Sequence, residues 1–388
     1  MTCRIRFSFD AFVRLLADAA RGPATAAVEL AQLAGGVEFL VTRPGTRGAI
    51  TLRLVEGRGR DSFGANPTVQ RGELLILVGA GEMAGAAAGW YRNDGLVVPI
   101  SEITVVGPGL ACLGANAPPS ASPEEQILWS RTIGALGARA WTRLRSLRFC
   151  LLGCGRTGSL VAARLYRLGA RSLILVDPDR LEPHNLGEME CVGPESVGRH
   201  KVVAVSRALP FAQPVPAGAL SLPALAAVKD ADIVICAVDN ALARLAAGFL
   251  AQVYLRPLLD LGTGIFRDRE HAGADVRLIW PNGCLLCLGG VASDASGAGD
   301  WRQQRAGSLH SLNSLAVDLG LRLLEEFVAG RLRHSTWLRV EFGHDGIPAL
   351  MTGSATPNSA CPLCNASGRG DAGLRLFPSI VEASRAAA

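Results

Sequence analysis

A glycine-rich turn between two apolar segments limits the fold of this chain more than any other feature. The apolar run Phe149–Leu152 is too short for a helix, so it is interpreted as a buried parallel strand. It leads into three glycines, Gly153, Gly155 and Gly158. Apolar residues at helical spacing then follow in Leu160–Leu168. The order strand, glycine turn and helix predicts the first unit of a doubly wound α/β sheet.

The segment after this helix completes the pattern. Gly169 stands where a glycine commonly ends a helix. A second strand is expected at Ser172–Val176, and it delivers Asp177. An acid in this position is typical of dinucleotide-binding domains, where its carboxylate accepts a hydrogen bond from a ribose hydroxyl.

Each glycine has a distinct physical role in such a turn. Gly153 permits the tight turn, Gly155 lets the backbone approach a phosphate, and Gly158 lets the helix lie close to the strand. The amide groups and dipole of the helix then face an anion. The sequence therefore predicts a bound nucleotide; the alternative is a structural turn that binds nothing.

Further polar residues follow the predicted strands. Asp179, Asn185 and Lys201 come after the second strand, where the phosphate chain of ATP and its Mg²⁺ would lie. Another buried strand is expected at Ala231–Val238, and it ends at Asp239. A dehydrogenase has no need of this set, so a nicotinamide oxidoreductase is the least favoured interpretation.

The order of these motifs resembles the ThiF/MoeB family, bacterial relatives of ubiquitin-activating enzymes, over roughly Pro123 to Ser367. The resemblance implies ATP-dependent adenylation of the C-terminal glycine of a ubiquitin-like protein, for transfer to a conjugating enzyme or another acceptor. It also implies a homodimer with a Rossmann-like, doubly wound, mostly parallel sheet. Two alternatives stay open: activation of a sulfur-carrier protein for cofactor synthesis, and a non-catalytic partner that binds the ubiquitin-like protein.

The resemblance assigns roles to individual residues. It implies that Asp177 holds the ribose, that Asn185 and Lys201 hold the phosphates, and that Asp239 binds Mg²⁺. Arg131 matches a helix arginine that reaches an ATP phosphate, often that of the partner subunit. The alternative for this arginine is a solvated position on a polar helix face.

Position 188 departs from the family pattern. The family usually has an arginine three residues after the asparagine, and this chain has Glu188. A carboxylate beside a triphosphate is unfavourable. We therefore expect either that Glu188 points away or that another cation, Arg180 or Arg199, substitutes.

Two CxxC pairs predict a structural zinc site. They consist of Cys284 with Cys287 and of Cys361 with Cys364. Each CxxC turn places two sulfurs on one side of an ion, and two such turns complete a tetrahedral Zn²⁺ site without an open position. A redox CxxC is the minor alternative.

The segment between the cysteine pairs corresponds to a crossover loop, in which several family members carry a nucleophilic cysteine. This chain has no cysteine there, and the matching position falls near Gln303. The loop offers instead the serines Ser293, Ser296, Ser308, Ser311 and Ser314. Three mechanisms compete: the reaction stops at the acyl adenylate, the acyl group passes to Ser308 as an oxyester with His310 as base, or Cys191 is the nucleophile. Alternatively, the serines only form a flexible lid.

The sequence suggests three regions. Residues 1–119 form an accessory α+β domain, residues 120–370 form the adenylation domain, and residues 371–388 form a mobile tail. The accessory domain carries no recognisable catalytic residues, so it is either a docking or dimer-shaping addition or a grip for the substrate. Its strands are expected at Ala49–Val55, Glu73–Val78 and Leu96–Val106, and its helices at Phe9–Ala20 and Ala26–Ala34.

Three further elements are expected in the adenylation domain. A helix from Glu124 has an apolar face formed by Ile127, Leu128, Ile133, Leu136 and Leu144. Another helix is expected at Leu315–Phe327, and a last strand at Trp337–Phe342.

Composition excludes several classes of protein. The 388 residues carry a net charge of only +5 and no basic run with interleaved aromatics, which argues against nucleic-acid binding. No apolar span is long enough to cross a membrane, and the N-terminus lacks the features of a signal peptide. A cytoplasmic protein is therefore expected, and ten cysteines in a reducing compartment favour metal over disulfides.

Overall fold

The structure is a computed structural model that describes residues 2–19, 24, 26–44, 49–50, 52–57, 69, 74–79, 87–93, 95–113, 121–265, 272–281, 283–291, 309–355 and 358–386. The chain forms two compact units. The first consists of Met1–Pro118, Val253–Leu255 and Ser367–Arg375. The second consists of Pro119–Gln252, Arg256–Ala366 and Leu376–Ala388.

The first unit contains two sheets and a helix. Its elements are β1 (Thr2–Ser8), α1 (Phe9–Ala19), β2 (Ala26–Leu33), β3 (Gly36–Pro44), β4 (Ala49–Ile50), β5 (Leu52–Gly57), β6 (Leu74–Gly79), β7 (Ala87–Asn93), β8 (Leu96–Pro99), β9 (Glu102–Gly107) and β10 (Gly109–Leu113). The strand orders are β10-β9-β1-β3-β2-β4 and β5-β6-β7-β8. The helix α1 starts where the hydroxyl of Ser8 accepts a hydrogen bond from the amide of Ala11 at 3.4 Å. It packs Leu15 into a core with Phe7 and Phe39.

The helix predicted at Ala26–Ala34 is wrong, because this segment forms β2. Its alanines and leucines favour a helix locally, but β2 pairs antiparallel with β3 from Leu33↔Gly36 to Ala26↔Pro44. Gly36 is required at the start of β3, since a Cβ there would lie 1.8 Å from the carbonyl oxygen of Thr2. Pairing with a neighbouring strand here outweighs helix propensity.

The second unit is an α/β domain around one eight-stranded sheet. Its elements are α2 (Pro123–Leu128), α3 (Ser130–Leu136), α4 (Ala138–Ser146), β11 (Arg148–Leu152), α5 (Arg156–Leu168), β12 (Ser172–Val176), α6 (Lys201–Ala208), β13 (Ala212–Val215), α7 (Leu222–Asp230), β14 (Ile233–Cys236), α8 (Ala241–Val253), β15 (Leu258–Ile265), β16 (Ala272–Ile279), α9 (His310–Val328), β17 (Ser335–Phe342), β18 (Pro348–Ala355), α10 (Pro362–Asn365) and α12 (Phe377–Ala386). The short helix α11 (Gly370–Gly373) lies between the last two in the chain and belongs to the first unit.

The sheet has the order β13-β12-β11-β14-β15-β16-β17-β18. The strands from β13 to β15 are parallel, and β16, β17 and β18 extend the sheet antiparallel. The parallel part has the order expected of a Rossmann-like fold, with the first strand in the centre. The predicted α/β class with a mostly parallel sheet is therefore confirmed.

The local predictions around the glycine turn are confirmed. The strands β11 and β12 pair in register from Arg148↔Ser172 to Leu152↔Val176, and β11 is buried from Phe149 onward. The helix α5 ends at Gly169, whose φ of 91° is left-handed. The helix α9 packs against α5, β15 and β16, which gives the sheet an apolar cover on that side.

Two other predictions differ from the structure. The apolar face predicted from Glu124 onward is divided among α2, α3 and α4, and Ile127 and Leu128 are exposed. Trp129 separates α2 from α3, and Gly137, with φ 90°, separates α3 from α4. The strand at Trp337–Phe342 is not the last, because β18 pairs with it as the sheet's edge.

The predicted mobile tail also differs, since residues 377–386 form α12. The ring of Phe377 lies 5.0 Å from that of Phe249 on α8, and Ile380 is buried. This apolar contact gives the segment a fixed position. Within the described part of the chain, no helix has both the length and the apolar character needed to cross a membrane.

Candidate functional site

The carboxyl ends of the central strands meet where the strand order reverses. The strand β11 lies between β12 and β14. From β11 the chain continues to β12 and β13 on one side of it, and then crosses to β14 on the other side. The amide of Gly153 donates to the carbonyl of Val176 at 2.9 Å, and the amide of Ala237 donates to the carbonyl of Leu152 at 2.8 Å. Such a reversal point is where open α/β sheets bind ligands.

The three glycines of the turn have different surroundings. A Cβ on Gly153, whose φ is 93°, would lie 2.7 Å from the carbonyl oxygen of Ala237. A Cβ on Gly158 would lie 2.0 Å from the carbonyl oxygen of Gly153. A Cβ on Gly155 would meet nothing within 4 Å. Gly153 and Gly158 are thus required by the backbone itself, whereas the space beside Gly155 is open to a ligand.

The helix α5 begins at this open space. Gly155 is its N-cap and has no side chain to accept a hydrogen bond from the first amides of the helix. These amides carry the positive end of the helix dipole and suit a phosphate. The hydroxyl of Thr157 donates to Asn313 on α9 at 3.3 Å, and Thr263 on β15 donates to the same oxygen at 2.8 Å. These contacts hold the first turn of α5 against the sheet.

Asp177 fixes the turn through both carboxylate oxygens. It is buried, and it accepts hydrogen bonds from the amides of Cys154 at 2.7 Å and Asp179 at 2.8 Å. Burial raises the pKa of Asp177 above its ordinary value, although these hydrogen bonds and the charge of Lys201 oppose that shift. Its contact with a ribose stays a prediction.

Lys201, the first residue of α6, brings a cation to the same edge. Its Nζ lies 2.8 Å from the carboxylate of Asp179, and its amide donates to the carbonyl of Asp179 at 2.9 Å. Burial lowers the pKa of Lys201, but the hydrogen bond to Asp179 and the charges of Asp177, Asp179 and Asp239 outweigh it and raise the pKa above 10.5. This amine is therefore charged throughout the physiological range.

Lysine is a rare residue type in this sequence. Lys201 and Lys229 are the only lysines in a sequence that otherwise uses arginine for its cations. An ammonium is a compact charge with rotatable donors, whereas a guanidinium is a planar fork. A role for Lys201 at the phosphates stays a prediction.

Asp239 and Asn185 differ in exposure. Asp239 follows β14, and its side chain is exposed. Its loop is held by Arg244, which donates to the carbonyl of Val238 at 2.8 Å. Asn185 is buried, and its Oδ1 accepts a hydrogen bond from the amide of Glu182 at 3.0 Å. The charge of Asp239 acts on Lys201, whereas one amide atom of Asn185 already caps a turn.

Glu188 has a partner that sequence reasoning missed. Its carboxylate pairs with the guanidinium of Arg156, with 2.9 Å between Oε2 and Nε and 3.2 Å between Oε1 and Nη1. Arg156 is the first residue of α5, directly after Gly155. The substitutes considered from sequence were Arg180, which donates to the carbonyl of Gly198 at 2.7 Å, and Arg199. The signal that could have identified Arg156 is a cation inside the glycine motif.

The sequence also predicted site roles for Arg131 and Cys191. Arg131 is on α3, and its side chain is exposed. Cys191 has a left-handed φ of 64° and lines a cavity of about 430 Å³ with Ser196 and Arg207. Burial and the charge of Glu190 raise the pKa of Cys191, which reduces the thiolate fraction that a nucleophile needs.

Residues 292–308 of the crossover segment lie outside the described part of the chain. Ser308, Ser293, Ser296 and Gln303 lie outside the described residues. His310 and Ser311 are exposed at the start of α9. The serine nucleophile and its base therefore stay predictions.

The four cysteines of the two CxxC pairs come together in the second unit. The Sγ atoms of Cys284, Cys287, Cys361 and Cys364 all lie within 4.8 Å of one another. The distance between the Sγ atoms of Cys284 and Cys361 is 3.5 Å, and that between Cys287 and Cys364 is 3.6 Å. Tetrahedral Zn²⁺ with bonds of about 2.3 Å places sulfurs about 3.8 Å apart. The cluster could therefore hold a zinc ion.

The protonation of the cluster is consistent with a metal-binding role. The hydrogen bond from Cys284 lowers the pKa of Cys364, whereas burial raises the pKa of Cys287. The thiolate is the form that binds metals. Cys361 precedes α10, and the amide of Cys287 points at the sulfur of Cys284 at 3.4 Å. Both features are local consequences of the CxxC turns.

The fold places this chain in the class of Rossmann-like α/β proteins. Residues 129–294 match the ThiF family, and the chain therefore carries a ThiF-family domain. This match supports an ATP-dependent adenylyltransferase. None of the curated protein sequences matches the chain significantly.

Solved structures with the same fold include MccB. E. coli MccB with MccA-N7isoAsn has a TM-score of 0.50 and 18% identity, covering 61% of this chain and 74% of MccB. The microcin C7 biosynthetic enzyme MccB in complex with N-formylated MccA has a TM-score of 0.50 and 19% identity, with the same coverage of 61% and 74%. PaaA has a TM-score of 0.47 and 17% identity, covering 63% of this chain and 78% of PaaA. At 18–19% identity the likeness to MccB concerns the fold.

Proposed function

We propose that the second unit adenylates the C-terminal carboxylate of a ubiquitin-like protein with ATP. The observation that carries this proposal is the arrangement at the carboxyl end of the sheet. The open space beside Gly155 and the N-terminus of α5 lie at the reversal of strand order, and Lys201 lies among Asp177, Asp179 and Asp239. A helix N-terminus with a charged lysine suits a phosphate chain, and an exposed carboxylate suits its Mg²⁺.

The chemistry assigns each group a task. A carboxylate oxygen of the substrate attacks the α-phosphorus of ATP, the bond from that phosphorus to the bridging oxygen breaks, and acyl adenylate and pyrophosphate form. Lys201 and the amides of α5 stabilise the charge that builds on the departing pyrophosphate. Asp177 holds the glycine turn in its geometry through Cys154. Positioning of the two reactants supplies much of the rate.

Two metal ions complete the proposal. Asp239 would hold Mg²⁺, which neutralises phosphate charge when bound. Cys284, Cys287, Cys361 and Cys364 would hold a structural Zn²⁺, since their sulfurs are close enough and leave no open position. Asn185 and Arg131 are proposed to contact phosphates, Arg131 across a homodimer.

The acceptor of the activated group follows from the same proposal. We expect transfer to a conjugating-enzyme-like protein or another acceptor, either directly from the acyl adenylate or through Ser308 as an oxyester. The raised pKa of Cys191 disfavours a thioester at that residue.

A second candidate substrate is one resembling MccA, because the MccB structures with this fold contain MccA. Activation of a sulfur-carrier protein uses the same first step.

Exchange of labelled pyrophosphate into ATP tests the proposal. The full-length protein is incubated with ATP, Mg²⁺, pyrophosphate and a panel of ubiquitin-fold proteins that end in glycine. Exchange should appear only with a panel member whose terminal carboxylate is free, and amidation of that terminus should abolish it.

Two outcomes would redirect the assignment. Binding of a ubiquitin-fold protein without ATP binding or exchange would support the non-catalytic partner instead. Exchange with an MccA-type substrate and with none of the ubiquitin-fold proteins would support the second candidate. The rate at which free AMP appears distinguishes two mechanisms. A reaction that stops at the acyl adenylate releases AMP only slowly, whereas transfer of the acyl group to a nucleophile releases it.

A further inference from the structure

Arg156 and Glu188 form an ion pair on the rim of the glycine turn. The guanidinium donates from Nη1 to Oε1 of Glu188 at 3.2 Å, and its Nε lies 2.9 Å from Oε2. Both side chains are partly open to solvent, with 38% of Arg156 and 33% of Glu188 exposed. The ion pair holds the guanidinium of Arg156, the residue directly after Gly155, beside this carboxylate.

The position of Arg156 is unfavourable for a cation unless an anion lies nearby. It is the first residue of α5, where the helix dipole favours negative charge. Glu188 supplies that negative charge from the neighbouring loop. The loop is fixed because the amide of Glu188 donates to the carbonyl of Asn185 at 3.1 Å and the amide of Glu190 donates to the hydroxyl of Ser159 at 3.0 Å.

The carboxylates that act on Lys201 outnumber its single positive charge. Lys201 is surrounded by the carboxylates of Asp177, Asp179 and Asp239, which oppose the approach of a triphosphate. Arg156 directly follows Gly155, whose missing side chain leaves the space open. It is therefore the cation best placed to offset those carboxylates.

We propose that Arg156 is a phosphate-binding residue that exchanges its partner when ATP binds. Glu188 holds the guanidinium in place beforehand, and a phosphate oxygen then takes the position of the carboxylate. Carboxylate and phosphate oxygens both accept charge-assisted hydrogen bonds from a guanidinium, so the group that Glu188 holds also suits a phosphate. This proposal rests on the proposed function, because it assumes a triphosphate in the pocket.

The exchange predicts opposite effects for the two partners. Arg156→Gln should weaken ATP binding about tenfold to hundredfold, because a hydrogen-bonded charge is lost. Glu188→Gln should leave ATP binding equal or tighten it a few-fold, because a competing negative charge is lost. A pair with only a structural role would give weaker binding in both variants.

Titration calorimetry with Mg²⁺-ATP and with adenosine measures these effects in the full-length protein. Adenosine affinity should not change in Arg156→Gln. Arg156→Lys keeps the charge without the fork and should fall between the wild type and Arg156→Gln. The matched control is Arg164→Gln on the same helix, since Arg164 is 35% exposed and pairs with Asp318 at 3.3 Å. This variant should bind ATP like the wild type.

The outcomes separate the two proposals. Tight ATP binding by the wild type with unchanged affinity in Arg156→Gln would overturn the role of Arg156 and leave the proposed function standing. Loss of affinity in both Arg156→Gln and Glu188→Gln would also overturn it. Absence of ATP binding by the wild type would end both proposals together.

Discussion

The guanidinium of Arg277 on β16 lies 3.3 Å from the carboxylate of Asp260 on β15, with both side chains buried. Arg244 on α8 pairs with the other oxygen of the same carboxylate. Arg277 also donates to the carbonyl of Leu288, one residue after Cys287, at 2.8 Å. The buried acid thus joins two arginines, of which one holds the loop before Asp239 and the other holds a cysteine turn.

The first prediction concerns Asp260→Asn. The substitution keeps the volume but leaves Arg244 buried without its carboxylate, which should cost about 3–5 kcal/mol in the free energy of unfolding. Denaturant unfolding followed by fluorescence measures the change. The control is Asp318→Asn, because Asp318 is exposed and pairs with Arg164, so that its loss should cost about 0–1 kcal/mol. Equal stability of the two variants would contradict the role of the buried network.

The second prediction contrasts two glycines of one turn. Gly158→Ala places a methyl group 2.0 Å from a backbone oxygen and should destabilise the protein by about 1–3 kcal/mol or more. Gly155→Ala meets nothing in the protein and should fold normally. It should nevertheless weaken ATP binding at least tenfold, because the methyl group occupies the space proposed for a phosphate. Thermal unfolding and calorimetry measure the two effects separately.

Unchanged ATP affinity in Gly155→Ala would show that the open space is not the phosphate site. Unchanged stability in Gly158→Ala would show that the helix and strand can separate at low cost.

The local parts of the fold could be predicted from sequence, whereas the long-range contacts could not. The strand at Phe149–Leu152 and the end of α5 at Gly169 follow from short-range patterns, and both are confirmed. β2 was predicted as a helix because its alanines carry no sign of its partner β3. Exposed β18 lacks the apolar alternation that identifies a strand.

In the candidate site, too, local spacing could be predicted from the sequence, whereas contacts between distant elements could not. Spacing predicts that four cysteines meet, because each CxxC turn fixes two sulfurs, and the structure brings them together. No spacing rule joins Glu188 to Arg156, since the two residues lie in different elements and meet only through the packing of the loop on α5. Similarly, Asp177 was assigned to the ribose from its position, but its hydrogen bonds to Cys154 and Asp179 could only be observed in three dimensions.

The third prediction concerns Asp239→Ala. If this exposed carboxylate binds Mg²⁺, the variant should lose pyrophosphate exchange while its zinc content and stability stay unchanged. Exchange kinetics over a range of Mg²⁺ concentrations and elemental analysis measure both quantities. The variant Cys361→Ser tests the other metal site, because it should lose zinc. Its control is Cys112→Ser, which changes an exposed cysteine and should retain zinc. Full exchange activity in Asp239→Ala would remove the magnesium assignment.

The fourth prediction concerns the protonation of Lys201. Its pKa is raised above the ordinary 10.5, so the charged amine stabilises the folded state. This contribution should be fully present below pH 10.5 and lost as the pH rises through the folded-state pKa. The stability difference between the wild type and Lys201→Met should therefore be constant from pH 7 to 10 and shrink at higher pH. Lys229→Met is the control variant.

The same lysine gives a direct test of nucleotide contact, because the sequence contains only Lys201 and Lys229. An amine-reactive reagent applied at pH 8 in excess should acylate Lys201 more slowly than Lys229, because its pKa is raised and its amine pairs with Asp179, and peptide mass spectrometry reports each rate separately. Mg²⁺-ATP should protect Lys201 and leave Lys229 unaffected, since phosphate oxygens would compete for the Lys201 ammonium. The protection should disappear in Gly155→Ala. Equal labelling of Lys201 with and without ATP would place the phosphate chain elsewhere and contradict the assignment of this residue.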